Sequence, residues 1–550
     1  MRVKTSGIRF AALAMHARRA LAMRAWRALR PSLRQLALLS AALAALGSTL
    51  LPDGGIAPRA AWAAASPAAS VADAHKAALY ASVDRNAQAI ATLSDNIYYF
   101  AELGMQEVES ARLLKDTLEK AGFRVRQGDA GFPTNIWAEW GSGKPKIAIV
   151  TEVDALPEGS QTPGSIDRKP LIPGAPGHME GHNTHAGVTV GAAIALKQTM
   201  ERNRIPGTIA LSFGPAEEQL VSRPFLVRAG LFKDVDAALL IHIGATFGTG
   251  VGLMNYGAIS AEFTFRGKTA HGAQNPWDGR DAVDAVVLMD SGVNALREHL
   301  RPTARAHRTI TIGGIQPNII PDLGQIWWFV RDNTGPRAKE NFDRVVKVAE
   351  GAALMTGTTL HHEVNASAWP QLSNRPIAEA IQKNIEAVGM PVWSKDEDDF
   401  ARRFQKAVGV PEVGLATRPL AFGERPQGFA SNDNGDVTWV VPSGYFQFPA
   451  SVPGIGYHNW VAGVTPTMSL SHKGQVVGAK VLAASVLDLL TDPALLKRAQ
   501  EQFARDTKET RYEPFLPASA RPPLSLNQAT MDKYRAEMKK HYLNRRPEFQ

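Results

Sequence analysis

The stretch "KIAIVTEVDAL", residues 146 to 156, is an apolar, β-rich run with acidic side chains directly after it. Such a run is typical of a buried strand in a parallel sheet. Comparable runs lie on both sides of it: "TNIWAEW" (134 to 140), "GTIALSFGPAEE" (207 to 218) and "DAALLIHIG" (236 to 244). Helical patterns at 186 to 203 and near 220 to 230 separate them. This alternation predicts an α/β fold in which a mostly parallel sheet is flanked by helices.

The pattern changes between about residues 259 and 372. Strand-like and helix-like segments follow one another there: "SAEFTFRGKTAH", the helix "GRDAVDAVVLMDSGVNALREHL", the strands "RTITIGG" and "QIWWFVRD", a helix near 334 to 356, and "TTLHHEVNASAWP". Strand, helix, strand, strand, helix, strand is the order of a split βαβ, ferredoxin-like unit. Because sheet-type patterning resumes near 375, we interpret this unit as an insertion.

The composition shifts and patterns divide the chain into five parts. They are a leader (1–66), a first catalytic segment (72–258), the inserted unit (259–374), a second catalytic segment (375–495) and a C-terminal extension (496–550).

The leader is basic and partly apolar. It holds ten Lys or Arg against one acid, Asp53, which leaves 51 basic and 51 acidic residues in the rest of a chain whose formal net charge is +9. A neutral body offers no electrostatic footprint for nucleic acid, so we expect no such partner. The apolar run at 36 to 51 is short for a membrane span and precedes "AAWAAAS". We expect export, to the periplasm, with an uncleaved N-terminal membrane anchor as the alternative.

Cysteine is absent from all 550 residues. This excludes disulfides, thiolate metal sites and a cysteine nucleophile. A metal site in this chain must therefore use carboxylates and imidazoles.

Potential metal ligands follow three of the predicted strands. Glu152 and Asp154 end the first, Glu217 and Glu218 follow the second, and His242 ends the third. Because ligands bind at the carboxyl ends of the strands in open parallel sheets, we expect these side chains to converge. The loop "GAPGHMEGHNTHAGVTVGAA" (174 to 193) adds Glu180 and His182, and "SLSHKG" adds His472.

Carboxylate and imidazole sets of this kind hold hard and borderline divalent cations. Taken singly, a histidine at a strand end is more often a hydrogen-bonded polar residue, and adjacent glutamates are more often a solvated pair. An unpaired carboxylate directly after an all-apolar strand is costly, however, and this favours the metal site. One ion rarely uses so many protein ligands while keeping an open position, so two ions that share a water are predicted.

At this point the motifs resemble those of a known superfamily. They are "EVDALPEGSQ", "PGHMEGHN", "GPAEE", "KTAHGAQNPWDGRDAVDAV", "PNIIPD", "SNDNGDVTWVVP" and "SLSHKG", in this order along residues 75 to 525. The chain is similar to the metal-dependent exopeptidases and amidohydrolases that include aminoacylase, carnosinase and glutamate carboxypeptidase. Within them it looks most like the aminobenzoyl-glutamate utilisation protein B branch.

The resemblance implies roles for individual residues. Glu217 matches the general base, and the matched metal ligands are Glu218, His182, His242 and His472. The position of Glu180 is commonly a cysteine in this branch, and the harder glutamate favours Mn or Co beside Zn as the two divalent ions. We expect Asp154 to orient a ligand.

The resemblance also implies that the inserted unit is a lid and a dimerisation domain, which predicts a homodimer. The residue matching His271 reaches a partner's active site to stabilise the oxyanion, whereas Asn318 and Arg331 match substrate contacts. Arginine suits a substrate carboxylate because its planar fork pairs bidentately with one.

The sequence thus predicts a metal-dependent hydrolase that cleaves the amide bond of an N-acyl amino acid or small peptide with a free carboxylate. Dipeptidase or carboxypeptidase action is the nearest alternative. A non-catalytic peptide-binding subunit on the same fold is a further one, although such a protein has no need of a base like Glu217 beside the ligand Glu218.

Overall fold

The structure, a computed structural model, describes residues 71–424, 427–543 and 545–550. The predicted leader lies outside these residues. The helices, in chain order, are α1 Val71–Arg85, α2 Ala87–Phe100, α3 Val108–Lys120, α4 Asn183–Asn203, α5 Ser222–Arg228, α6 Ala282–Arg297, α7 Gly335–Thr356, α8 Arg375–Val388, α9 Lys395–Val408, α10 Gly435–Thr438, α11 Ser469–Thr491, α12 Pro493–Asp506 and α13 Gln528–Met538. The strands are β1 Arg124–Gln127, β2 Ile136–Ser142, β3 Lys146–Thr151, β4 Gly207–Phe213, β5 Ala237–Gly244, β6 Gly248–Thr249, β7 Gly252–Leu253, β8 Gly257–Arg266, β9 Arg305–Ile312, β10 Leu323–Asp332, β11 Thr359–Ala368, β12 Leu372–Ser373 and β13 Ser443–Pro449.

A seven-stranded sheet with the order β1-β2-β4-β3-β5-β13-β6 forms the larger part of the molecule. Its four central strands, β4, β3, β5 and β13, run parallel. The edge strands β1, β2 and β6 pair antiparallel. The predicted fold class is confirmed, and the parallel region is the centre of a mixed sheet.

Both faces of the central strands are buried, as their unbroken apolar runs require. Ile147 and Ile149 of β3 pack into one core with α2, α4, α8 and α11. The alternate residues Ala148 and Val150 pack into a second core with α5. By length and apolar composition α11 could cross a membrane, but most of it is buried against the sheet.

The smaller sheet has four antiparallel strands in the order β11-β8-β10-β9. With α6 after β8 and α7 after β10, it is the ferredoxin-like unit that the pattern predicts. Burial alternates along β10: Trp328 and Val330 are buried in the core shared with α6 and α7. Because successive side chains point to opposite faces, Phe329 and Arg331 lie on the other side of the strand, toward the larger sheet.

Candidate metal centre and active site

The parallel strands deliver acidic and imidazole side chains to one edge of the larger sheet. Asp154 follows β3 by three residues, Glu217 and Glu218 lie in a short 3-10 turn after β4, and His242 is third from the end of β5. Parallel neighbours end at the same edge, so these groups meet there. All four are buried.

A sharp turn before α4 adds Glu180 and His182. Gly181 between them has φ +91, and a Cβ built on it would lie 2.7 Å from Cδ1 of Ile243. Only glycine fits this close approach and this backbone conformation without strain. The turn brings Glu180 and His182 to the same strand edge.

Three overlapping groups of potential ligands result, each with its ligand atoms within 4.8 Å of one another. They are Glu180–His182–His242, Asp154–His182–Glu217 and Glu180–Glu218–His458. The Glu180 carboxylate lies between two imidazoles: its Oε1 is 3.1 Å from His242 Nε2, and its Oε2 is 2.6 Å from His458 Nε2. His458 Nε2 is also 3.2 Å from Glu218 Oε2.

The donor set fits divalent metal ions. His182 Nδ1 is 3.3 Å from Asp154 Oδ1, and His242 Nδ1 donates to the carbonyl oxygen of Ile243 at 2.8 Å. Both contacts leave Nε2 as the free donor atom, and a metal-binding histidine is held by its other ring nitrogen in this way. The buried atoms His182 Nε2 and Glu218 Oε1 have no hydrogen-bond partner. Buried polar atoms without partners are rare unless an ion or water completes them.

The crowded carboxylates perturb the protonation of the site. Burial raises the pKa of Glu217 well above its usual range, and the charges of Glu152 and Glu218 raise it further. Burial raises the pKa of Glu218 as well. Hydrogen bonds to Glu180 and Glu218 raise the pKa of His458 to about 10. Divalent cations would neutralise this excess of negative charge.

The structure places His472 away from this cluster, contrary to the prediction. His472 lies in the first turn of α11, where its Nε2 is 2.9 Å from Oδ1 of Asp95 on α2. Among the residues that the structure describes, no group of clustered ligand atoms includes it. The helix turns its side chain toward α2, so the late histidine of the cluster is His458.

Sequence reasoning did not find His458. It lies in the loop "GIGYHNW" (454 to 460) after β13, with φ +55, and neither an apolar strand nor a periodic helix precedes it directly. Its signal was only that it is a histidine in a glycine-containing loop after a parallel strand.

A second layer of buried polar groups was also missed. The fully buried Arg223 donates to the carbonyl oxygen of Thr151, to Glu152 at 3.3 Å and to Asn434 at 2.8 Å. His185 Nδ1 is 3.2 Å from Glu152 Oε1. Burial alone would raise the pKa of Glu152, but the bond to His185 and the nearby charges lower it to about 2. This layer lies behind the ligand residues and supports the strand end.

The cluster opens into a cavity of about 590 Å³ between the two sheets. On its lid side the cavity is lined by Arg305, His307, Phe329, Arg331 and Phe429. Arg331 donates from Nη1 to Ser431 Oγ at 2.8 Å, and its buried Nε has no partner. The structure thus brings Arg331 to the same cavity as Glu217.

His271 and Asn318 are exposed and do not line this cavity. They lie side by side on adjacent lid loops, where the Gly272 N–H donates to the carbonyl oxygen of Asn318 at 2.8 Å. His271 Nδ1 accepts the N–H groups of Ala273 and Gln274, both at 3.1 Å. This contact leaves the proton of the neutral ring on Nε2, which faces outward as a donor.

Comparison with known proteins agrees with this geometry. A family model described as "Peptidase family M20/M25/M40" matches residues 148–426. One of the two subunits of the p-aminobenzoyl-glutamate hydrolase of Escherichia coli (strain K12) is 32% identical over 467 residues, 80% of this chain and 97% of that protein. The Xaa-Arg dipeptidase of Mus musculus is 28% identical over 439 residues, 76% of this chain and 90% of that protein. The crystal structure of the aminobenzoyl-glutamate utilization protein from Klebsiella pneumoniae superposes with a TM-score of 0.54 at 18% identity, covering 74% of this chain and 98% of that one.

The mixed sheet, the lid and the carboxylate–imidazole cluster define a class of protein, the metal-dependent hydrolases that act on C–N bonds. Within that class the chain belongs to the peptidase family M20/M25/M40. The family resemblance predicted from the motifs is confirmed.

Proposed function

We propose that the enzyme hydrolyses the amide bond of an N-acyl amino acid or small peptide that carries a free carboxylate. The observation that carries this proposal is Arg331, whose guanidinium lines the same cavity as Glu217 and the ligand cluster. A planar guanidinium pairs bidentately with a carboxylate, which would leave the adjacent amide near Glu217. The two relatives are named for an aminobenzoyl-glutamate and for a dipeptide, and both compounds have this arrangement of amide and carboxylate.

Two divalent cations (zinc, manganese or cobalt), held by Glu180, His182, Glu218, His242 and His458, would supply Lewis-acid activation of a water and of the scissile carbonyl. Glu217 takes a proton from the attacking water and delivers it to the nitrogen of the leaving amine. Its raised pKa suits this role, because the carboxyl can hold the proton between the two transfers. Asp154 holds the His182 ring and accepts the Glu218 N–H at 3.0 Å.

The oxyanion of the tetrahedral intermediate needs a hydrogen-bond donor. We assign this role to His271 of a second copy of the chain, because the His271 Nε2–H faces outward and lies away from its own cavity. The enzyme would then act as a homodimer joined through the lid, and Asn318 beside His271 would contact the same substrate.

The test is release of free amino acid from a panel of N-acyl amino acids, with the matching N-acyl amino-acid amides as controls that lack the carboxylate. A chelator should stop the reaction, and zinc, manganese or cobalt should restore it. Glu217→Gln should lower kcat by about 10³-fold or more while the metal content stays unchanged. Glu218→Gln should lose metal as well. An active Glu217→Gln enzyme would remove the base role, and equal rates on acids and amides would remove the role of Arg331.

A further inference from the structure

Glu107 directly precedes α3 and is buried, yet it lines neither the cavity nor the ligand cluster. Its two carboxyl oxygens make separate contacts. Oε1 accepts the backbone N–H of Ala216 at 2.8 Å, and Oε2 accepts the hydroxyl of Thr134 at 2.9 Å. Thr134 thus fixes the side chain that holds Ala216.

Ala216 immediately precedes Glu217, and its backbone is left-handed, with φ +55. Leu220, at the other end of the same turn, has φ +61. A non-glycine residue in this region costs on the order of 1 kcal/mol or more and persists only where surrounding contacts hold it. The turn that carries Glu217 and Glu218 is therefore bounded by two residues in strained conformations.

Two carboxyl groups hold the backbone of this turn. Glu107 accepts the N–H of Ala216, and Asp154 accepts the N–H of Glu218 at 3.0 Å. Asp154 belongs to the site, because it also contacts His182. Glu107 reaches the turn from a different element, the segment that leads into α3.

We propose that Glu107 is a positioning residue for the reaction: by holding the Ala216 N–H it keeps Glu217 aimed at the substrate and Glu218 in the ligand set. The inference rests on the proposed roles of Glu217 and Glu218. Glu107 acts through the backbone, so the length and the acceptor atom of its side chain matter and its acidity does not.

Two conservative variants separate these properties. Glu107→Gln keeps the reach and an acceptor oxygen, whereas Glu107→Asp keeps the carboxyl group but is one methylene too short. With metal at saturation, we expect Glu107→Gln to retain kcat within about threefold, and Glu107→Asp to lose about 10- to 100-fold with KM changed less than about twofold. Zinc affinity, measured by chelator competition, should fall about tenfold in Glu107→Asp and little in Glu107→Gln.

The matched control is Asp492→Ala, which removes the N-cap of α12, where Asp492 accepts the Leu495 N–H at 2.9 Å. It should lower the unfolding temperature modestly and leave kcat unchanged. Wild-type kcat in Glu107→Asp, or equal loss in Glu107→Gln, would overturn the inference. A wild-type enzyme that releases no amino acid from any substrate would instead remove the proposed function, and this inference with it.

Discussion

Glu180 links the two halves of the ligand cluster. One carboxyl oxygen faces His242 and the other faces His458, at 3.1 and 2.6 Å. A carboxylate with both oxygens presented to different ligand groups can bridge two cations, and in a chain without cysteine no thiolate is available for that position. The identity of the last imidazole ligand then decides whether the second ion binds.

Replacing the two late histidines separately tests that identity. His458→Ala should lower metal occupancy and reduce kcat/KM at least about 100-fold, because it removes a ligand that contacts both Glu180 and Glu218. His472→Ala breaks only the pair with Asp95 and should leave kcat/KM within about threefold, with a stability loss of at most about 1 kcal/mol. Metal analysis and amino-acid release measure both. The reverse ranking would mean that His472 is the ligand.

Individual site residues could be predicted from the sequence where an element positions them. Glu217, Glu218 and His242 end or follow parallel strands, so geometry alone brings them together. His458 lies in an irregular loop whose path is set by contacts distant in sequence, such as that of the His458 N–H with the Met179 carbonyl oxygen. Periodicity carries no information about such a path, whereas His472 stands in a motif that a sequence displays directly.

Asp436 is a buried acid outside the site. Oδ2 accepts the Trp369 N–H at 2.9 Å, and Oδ1 accepts the hydroxyl of Tyr512 at 2.7 Å. Burial raises its pKa to about 7, from an ordinary value of 3.8. The folded state therefore binds this proton more tightly than the unfolded state does. The free energy of unfolding falls as the pH rises from about 4 to about 7, and the loss is complete above pH 7.

Asp436→Asn removes this titration and keeps an acceptor for Trp369. We expect the variant to be more stable than the wild type by about 1 to 3 kcal/mol at pH 8, and the difference to shrink toward zero near pH 4. Urea unfolding of both proteins across this range measures the difference, so other titrating groups cancel. Tyr512→Phe is the control: it removes one bond but leaves the acid. A variant less stable than the wild type at pH 8 would contradict the prediction.

At the scale of elements, the order of strands and helices could be read from the sequence, whereas strand direction at the sheet edges could not. "TNIWAEW" has the same apolar character as its parallel neighbours, yet β2 pairs antiparallel with both β1 and β4. A strand buried on both faces shows no alternation whichever way it runs, so direction depends on the connections. The lid was clearer, because the half-exposed strand β10 alternates.

The C-terminal extension is bound to the segment that leads into α3. From α13, Arg535 forms an ion pair with the buried Glu102 at 2.5 Å and donates to the carbonyl oxygen of Gln106 at 3.0 Å. Asn527, just before α13, donates to the carbonyl oxygen of Gly104 at 3.0 Å. The sequence placed no function on this extension, and these contacts show that it stabilises the approach to Glu107.

Arg535→Ala should therefore destabilise the folded chain by about 2 to 3 kcal/mol, because it leaves the buried Glu102 carboxylate without its cation. The double variant Glu102→Gln/Arg535→Ala should recover most of this loss, since the glutamine has no charge to leave unpaired. Urea unfolding of the wild type, both single variants and the double variant gives the coupling. A double variant as unstable as the sum of the singles would show that the pair contributes little.

At the scale of the whole molecule, the cavity takes its ligand cluster from the larger sheet and Arg331 from the lid. His271 and Asn318, on the same lid, are exposed and outside this cavity. If each belongs to the site of a second copy, every complete site combines Glu217 of one chain with His271 of the other. Two inactive variants can then complement each other, because a mixed dimer has one intact site.

We expect His271→Ala and Glu217→Gln to be inactive alone and to regain activity when they are mixed under conditions that exchange subunits. Random reassociation places one intact site in about half of the dimers, so the ceiling is about a quarter of wild-type activity. The assay is amino-acid release after exchange. The control mixes Glu217→Gln with the double variant Glu217→Gln/His271→Ala; no dimer of that mixture has an intact Glu217, so it should stay inactive. Failure of the first mixture, with exchange verified by mass, would place His271 in its own chain's site.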